Sequence, residues 1–289
     1  METVEDIINK QACGTAAVRG LSLQIIAEMN LLVPNVLVNI ESLNIKATSS
    51  AVNPYLQPAA KEALRRAITA RGGATLEISS AYRTIAQQFL LRSWFEMGSC
   101  GITAAALPGR SNHEDGLALD IPVADPDHPD RDPEFVAWRT ALENEDWEWF
   151  GWVSSDVFHF TYKGTSVRDD IGDVGVHAFQ RLWDREHLDD RIADGGFWGP
   201  QTAARLRMSP AEGFSTKKLL KLIDPNMTGE DISKVQQALV NAGFLTASQV
   251  TNVYDSVTQV AVKNFQEANG LGKDGIVGTQ TRKFLGLPA

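Results

Sequence analysis

The sequence predicts an α+β domain, an antiparallel sheet with helices, followed by a small all-α domain of helical repeats. Three observations carry that expectation. Residues 1–165 mix strand-period and helix-period apolar patterns. Residues 166–289 are helical in pattern and repeat a short motif. The length of 289 residues, with 43% hydrophobic and 22% charged residues, suits a folded chain of about two domains.

In the first part, Ala59, Ala60, Ala63, Leu64, Ala67 and Ile68 fall at helical spacing. Pro58 starts that helix and Gly72-Gly73 ends it. A short strand is expected at 75–78, and a second helix from Thr84 to Met97. Residues 117–121 alternate: Leu117, Leu119 and Ile121 face one way, Ala118 and Asp120 the other. Residues 158–162 do the same, with Phe158, Phe160 and Tyr162 toward the core and His159 and Thr161 opposite. Between these strands lie an Asp/Pro-rich loop, a helix over 134–143, and the aromatic run Trp147, Trp149, Phe150 and Trp152, which reads as core.

In the second part, Phe179-Gln180 precedes an Asp-Gly and a Gln201-Thr202. Phe265-Gln266 likewise precedes Asp274-Gly275 and Gln280-Thr281. Val235, Leu239 and Ala242 form one helical stripe, and Val257, Val260, Ala261, Phe265 and Ala268 another, with Asp255 as N-cap.

Composition excludes some classes. A net charge of −9 gives no basic footprint for nucleic acid. No apolar stretch spans a membrane; Leu31 to Ile40 is short and contains Pro34. The N-terminus is acidic where a secretory leader is basic, so no export route is legible. Cys13 and Cys100 read as two buried free thiols or as one disulfide.

The chemistry lies in Ser111-Asn112-His113-Glu114-Asp115-Gly116-Leu117-Ala118-Leu119-Asp120 and in Asp156-Val157-Phe158-His159. Two histidines and a carboxylate from separate segments can hold one ion and leave a fourth position open, the arrangement of catalytic zinc. Metal bonds are about 2 Å long, so the chain must turn back between His113 and Asp120, and Gly116 permits that turn. Asp156 is expected at a bend with Ser155, where its carboxylate can move a proton. Arg83, between a strand and a helix, offers a guanidinium for a carboxylate or an oxyanion. The same ligand types suit non-haem iron, but those sites usually place His and Asp two apart on a strand, whereas here they are seven apart.

Ser79-Ser80-Ala81-Tyr82-Arg83-Thr84 with Gln88, the Ser-x-His-x-x-Gly-x-Ala-x-Asp of 111–120, and Asp-x-x-His at 156–159 resemble the zinc D-alanyl-D-alanine carboxypeptidase family. That family holds bacterial cell-wall peptidases and phage endolysins, with a hedgehog/lysostaphin-type fold. The resemblance covers about residues 50–165 and leaves 1–50 as an extension of unknown role. It implies one zinc ion on His113, Asp120 and His159, with Asp156 as catalytic acid/base. Arg83 would be both catalytic and substrate-binding, and Ser111 substrate-binding. Many members carry Glu where this chain has Asp156.

Residues 166–289, best over 230–286, resemble the helical peptidoglycan-binding domain. Together the two resemblances imply a peptidase that cuts peptidoglycan stem peptides as a monomer at the bacterial cell wall. The bond cut is either the terminal D-Ala-D-Ala bond or an internal one. The rival expectation is a non-catalytic wall-binding protein with a structural zinc site, against which the carboxylate at 156 argues.

Overall fold

The computed structural model describes residues 2–151, 156–187, 190–214, 219–222 and 225–287. Trp152 and Ser155, named above for the aromatic run and the bend, lie outside the described residues.

The chain forms two compact units. The first comprises Met1–Leu182 and Ala193–Gly213, and the second Trp183–Ile192 and Phe214–Ala289. Packing therefore does not divide the chain near 165, where the sequence texture changes.

The first unit opens with α1 (Val4–Lys10) and α2 (Arg19–Leu32), which make up much of the extension. Val4 donates its N–H to Ser209 O, and Leu21 donates to Ala211 O, so the extension is bonded to residues 209–211. Cys13 and Cys100 form a disulfide across 87 positions of sequence, which replaces the free-thiol reading. Their pairing depends on α1 packing against the helix Ile85–Glu96 that precedes Cys100, which spacing along the chain does not disclose.

Among the described residues, three small sheets follow. β1 (Val38–Asn39) pairs antiparallel with β3 (Tyr55–Leu56). β2 (Ile45–Ala47) pairs with β4 (Leu76–Ile78), and here the strands run parallel, unlike the antiparallel pairing expected. The helix α3 (Pro58–Ala70) is the crossover that such a pair requires. The third sheet has order β5-β7-β6, all antiparallel: β5 (Ala118–Asp120), β6 (Trp147–Trp149) and β7 (His159–Tyr162).

Helices α3 and α5 (Pro133–Glu143) cover this region. Ala63, Leu64, Ala67, Trp138 and Leu142 share one core with Leu119, Trp147 and Phe160. α4 (Ile85–Glu96) starts at Thr84, whose hydroxyl and Gln87 cap each other as a capping box. Phe158 does not join the core face: it is 39% exposed, because it sits in a turn before the strand begins.

α6 (Ile171–Glu186) and α7 (Pro200–Met208) hold the first repeat. The amide of Gln180 donates to Phe197 O and Thr202 Oγ1 and accepts from Gly196 N. Gln266, on α9 (Ser256–Ala268), does the same with Ile276 O, Thr281 Oγ1 and Gly275 N, joining α9 to α10 (Thr279–Phe284). Sequence comparison missed a third case. Gln236, on α8 (Glu230–Asn241), bonds Val253 O, Thr258 Oγ1 and the Thr251 and Asn252 N–H groups. Each glutamine is buried and satisfies the loop leading to the next helix.

In α9 the expected stripe is out of phase. Val257 and Val260 are exposed, and the buried face is Thr258, Ala261, Val262, Phe265 and Gln266. Thr258 and Gln266 are inside because each is hydrogen-bonded there, Thr258 Oγ1 accepting from Gln236 Nε2 and Gln266 Nε2 donating to Thr281 Oγ1, which offsets the cost of burying polar groups. Asp255 caps the helix as expected, accepting from Thr258 N at 2.8 Å.

Candidate metal centre

The loop 109–116 is shaped by Glu114. Its buried carboxylate accepts N–H bonds from Gly109, Arg110 and Ser111 at 2.8, 3.2 and 3.2 Å. Burial nevertheless pushes this carboxyl up to about 7, against the pull of those N–H groups and of Arg83. Gly116 then reverses the chain at φ +66°. A Cβ there would lie 2.7 Å from Leu37 Cδ2 and 3.3 Å from Gln57 N. Gln57 fastens the turn, donating from N to Gly116 O and from Nε2 to Asp115 O.

That turn sets His113 beside Asp120. In the β5–β7 register Asp120 faces His159 directly. The three side chains offer ligand atoms that lie within 4.8 Å of one another, and all three are buried. Asp120 Oδ1 is 3.3 Å from His113 Nε2 and 2.9 Å from His159 Nδ1. Ligand atoms about 2.0–2.1 Å from a tetrahedral ion are about 3.3 Å apart, so the two distances to Asp120 are compatible with a shared zinc ion. The donor set, two imidazoles and a carboxylate, fits it as well.

Electrostatics support the same use. Burial disfavours the charged form of His113 and holds its imidazole below the ordinary range, although Asp120 pulls the other way. A ligand must be neutral to offer its lone pair. Burial opposes ionisation of Asp120, but His113, His159 and Arg83 outweigh it and hold the carboxyl well below the usual carboxylate range. The outer nitrogen of His113, Nδ1, lies 2.7 Å from Ala81 O. That carbonyl can only accept, so the proton sits on Nδ1 and Nε2 faces inward.

Arg83 stands beside the ligands. Its Nη2 is 3.9 Å from Asp120 Oδ2 and 3.4 Å from Ser80 Oγ, and Nη1 donates to Gln88 Oε1 at 3.1 Å. Gln88 is anchored in turn on Ala106 O.

Asp156 is half-buried. Its carbonyl accepts from His159 N at 3.1 Å, which closes a turn over 156–159 where a bend was expected. Trp149 Nε1 donates to Val157 O in that turn. Burial raises the Asp156 carboxyl, and Asp120 adds to the rise, while His159, His113 and Arg83 oppose it. Asp156 is thus within electrostatic reach of all three ligands and of Arg83.

Ser111 is buried, and its Oγ accepts from His113 N at 3.3 Å, within its own loop. Of the aromatic run, Trp147 is buried, Trp149 is half-buried, and Phe150 packs edge-on to His159 at 5.4 Å.

A family model described as "Putative peptidoglycan binding domain" matches residues 228–285, which span α8, α9 and α10. Over 80 residues the chain is 34% identical to a spore cortex-lytic enzyme of Bacillus cereus, covering 28% of this chain and 29% of that protein. Over 129 residues it is 31% identical to a "Probable N-acetylmuramoyl-L-alanine amidase" of Bacillus licheniformis, covering 40% of this chain and 35% of that protein. The chain thus spans about a third of the length of these curated relatives. No solved structure matches it. What the comparisons establish is a helical C-terminal segment similar to peptidoglycan-binding domains, in a chain that shares partial similarity with cell-wall lytic proteins.

Proposed function

We propose that the protein is a zinc-dependent peptidase that hydrolyses peptidoglycan stem peptides, with 166–289 serving to hold it on the wall. The observation that carries this reading is the convergence of His113, Asp120 and His159, with Arg83 beside them and Asp156 within electrostatic reach. The wall as substrate is supported by the match over 228–285 and by relatives named as lytic enzymes.

His113 Nε2, Asp120 Oδ1 and His159 Nδ1 would hold the ion. When bound, zinc supplies Lewis acidity and lowers the pKa of water toward 7. Asp156 takes a proton from water as its oxygen adds to the peptide carbonyl carbon. Arg83 faces the oxyanion that develops there. As the C–N bond breaks, Asp156 returns the proton to the departing amine. Ser111, buried in the loop that carries His113, would contact the substrate.

The raised Asp156 carboxyl suits this exchange, because an acid nearer neutrality both accepts and returns a proton readily. A purely structural zinc site has no use for such a carboxylate, which weighs against the non-catalytic alternative.

The disulfide bears on location. Such bonds persist in oxidising surroundings, so Cys13–Cys100 supports action outside the cytoplasm, in the periplasm or beyond the cell. Monomeric action is part of the proposal, since one chain supplies all three ligands.

Digestion of purified peptidoglycan, followed by mass spectrometry of the fragments, tests the reading. New amino termini on stem peptides, or free D-alanine, are expected. A chelator should abolish them and added zinc restore them. Release of whole stem peptides from the sugar would instead assign an amidase. Binding to the wall with no new products would assign the non-catalytic alternative.

A further inference from the structure

The two histidines of the centre are held by different kinds of partner. His113 is fixed from behind by a backbone carbonyl, Ala81 O, which can only accept. His159 is fixed by a side-chain hydroxyl: its Nε2 lies 3.0 Å from Thr161 Oγ1. Thr161 is buried and sits two residues along β7, so the pleat places both side chains on one face. Asn112 Nδ2 reaches the same hydroxyl oxygen at 3.3 Å. Asn112 belongs to the loop that carries His113. One hydroxyl therefore joins the two segments that present the histidines.

A hydroxyl can donate or accept, whereas a carbonyl cannot donate. When His159 Nδ1–H donates to Asp120 Oδ1, Thr161 can donate to Nε2. When Nδ1 gives its lone pair to a cation, the ring proton sits on Nε2 and Thr161 accepts it. The amide of Asn112 fills one lone pair of that oxygen and leaves the other for Nε2–H. Thr161 serves both tautomers without moving the ring.

We propose that Thr161 and Asn112 are positioning residues for His159, holding its ring with Nδ1 inward and setting the affinity of the centre for its ion. This inference rests on the zinc reading above. Partners behind a ligating histidine commonly change metal affinity by about 10–100-fold when removed.

The test is zinc affinity of the full chain, read by competition with a chromophoric chelator, together with the visible spectrum of the cobalt-substituted protein. Thr161→Val removes the hydroxyl and keeps the branched shape. It should weaken zinc about 10–100-fold and alter the cobalt spectrum, with far-UV circular dichroism unchanged. Thr161→Ser should restore both. Asn112→Ala should weaken zinc by a smaller factor, and adding it to Thr161→Val should cost nothing further, because the two act in series.

Wild-type affinity and an unaltered cobalt spectrum in folded Thr161→Val would overturn the inference while leaving the metal centre intact. Should Thr161→Val not fold, Asn112→Ala, whose side chain is exposed, decides. Unchanged affinity there removes the coupling between the two segments. A wild-type protein that takes up no zinc overturns the metal centre and this inference together.

Discussion

In the proposed mechanism, turnover depends on Asp156 while binding of the ion does not. Asp156→Asn should keep one zinc per chain and lose about 10²–10⁴ of turnover, the usual contribution of a positioned acid/base. Parallel zinc analysis and muropeptide kinetics check this, and full activity with zinc retained would remove Asp156 from the chemistry. His113 gives a pH prediction. Burial lowers it from the ordinary 6.5. Below 6.5 the unfolded chain binds a proton that the folded chain resists, so stability falls with acid; above 6.5 both states are neutral and nothing changes. Protons and zinc compete over the same window. The melting temperature of metal-free protein should therefore decline as the pH falls below about 6.5, and less steeply in His113→Ala. Equal slopes would contradict the assignment. The candidate trio was legible in the sequence because strand period put Asp120 and His159 on polar faces and Gly116 allowed the chain to bring His113 back to them. Glu114 and Thr161 were not. Their roles come from hydrogen bonds to atoms that the fold brings near, and a lone Glu or Thr gives no periodic signal.

Among the elements, the turn at Gly116 governs whether His113 meets Asp120. Ala at this position would meet both a positive φ and a Cβ contact 2.7 Å from Leu37 Cδ2. Gly116→Ala should destabilise by about 1–3 kcal/mol and weaken zinc as well. Urea unfolding with and without zinc reads both effects, and an unchanged midpoint would show that the turn is not strained. Helix and strand positions were legible wherever apolar spacing and end signals agreed, as at Pro58, Thr84 and Asp255. The phase of α9 was not. Val257 and Val260 look like core by type, yet Thr258 and Gln266 take the interior because each makes loop-closing bonds. Phe158 misled in the same way, since the strand period was extended one residue into a turn.

At the scale of the whole chain, the extension, most of α6 and all of α7 belong to the first compact unit, whereas Trp183–Ile192 are grouped with the second. Gly172 shows how close that packing is: a Cβ there would stand 2.4 Å from Gly109 O, at the head of the ligand loop. A change of texture near 165 could not reveal this, because α6 is amphipathic whichever core it joins. The disulfide closes a loop of 87 positions and so restrains the unfolded chain over much of the first unit. Removing it with Cys13→Ser and Cys100→Ser should cost about 4–5 kcal/mol on the chain-entropy estimate. Thermal unfolding of the double variant checks this, and an unchanged melting temperature would mean the bond does not restrain folding. The central claim is that one cation is shared by two imidazoles and a carboxylate. The most direct measurement is anomalous diffraction at the zinc edge from zinc-loaded crystals. One peak is expected, about 2.0–2.2 Å from His113 Nε2, Asp120 Oδ1 and His159 Nδ1. A peak elsewhere, or a fourth protein atom completing the coordination, would contradict it.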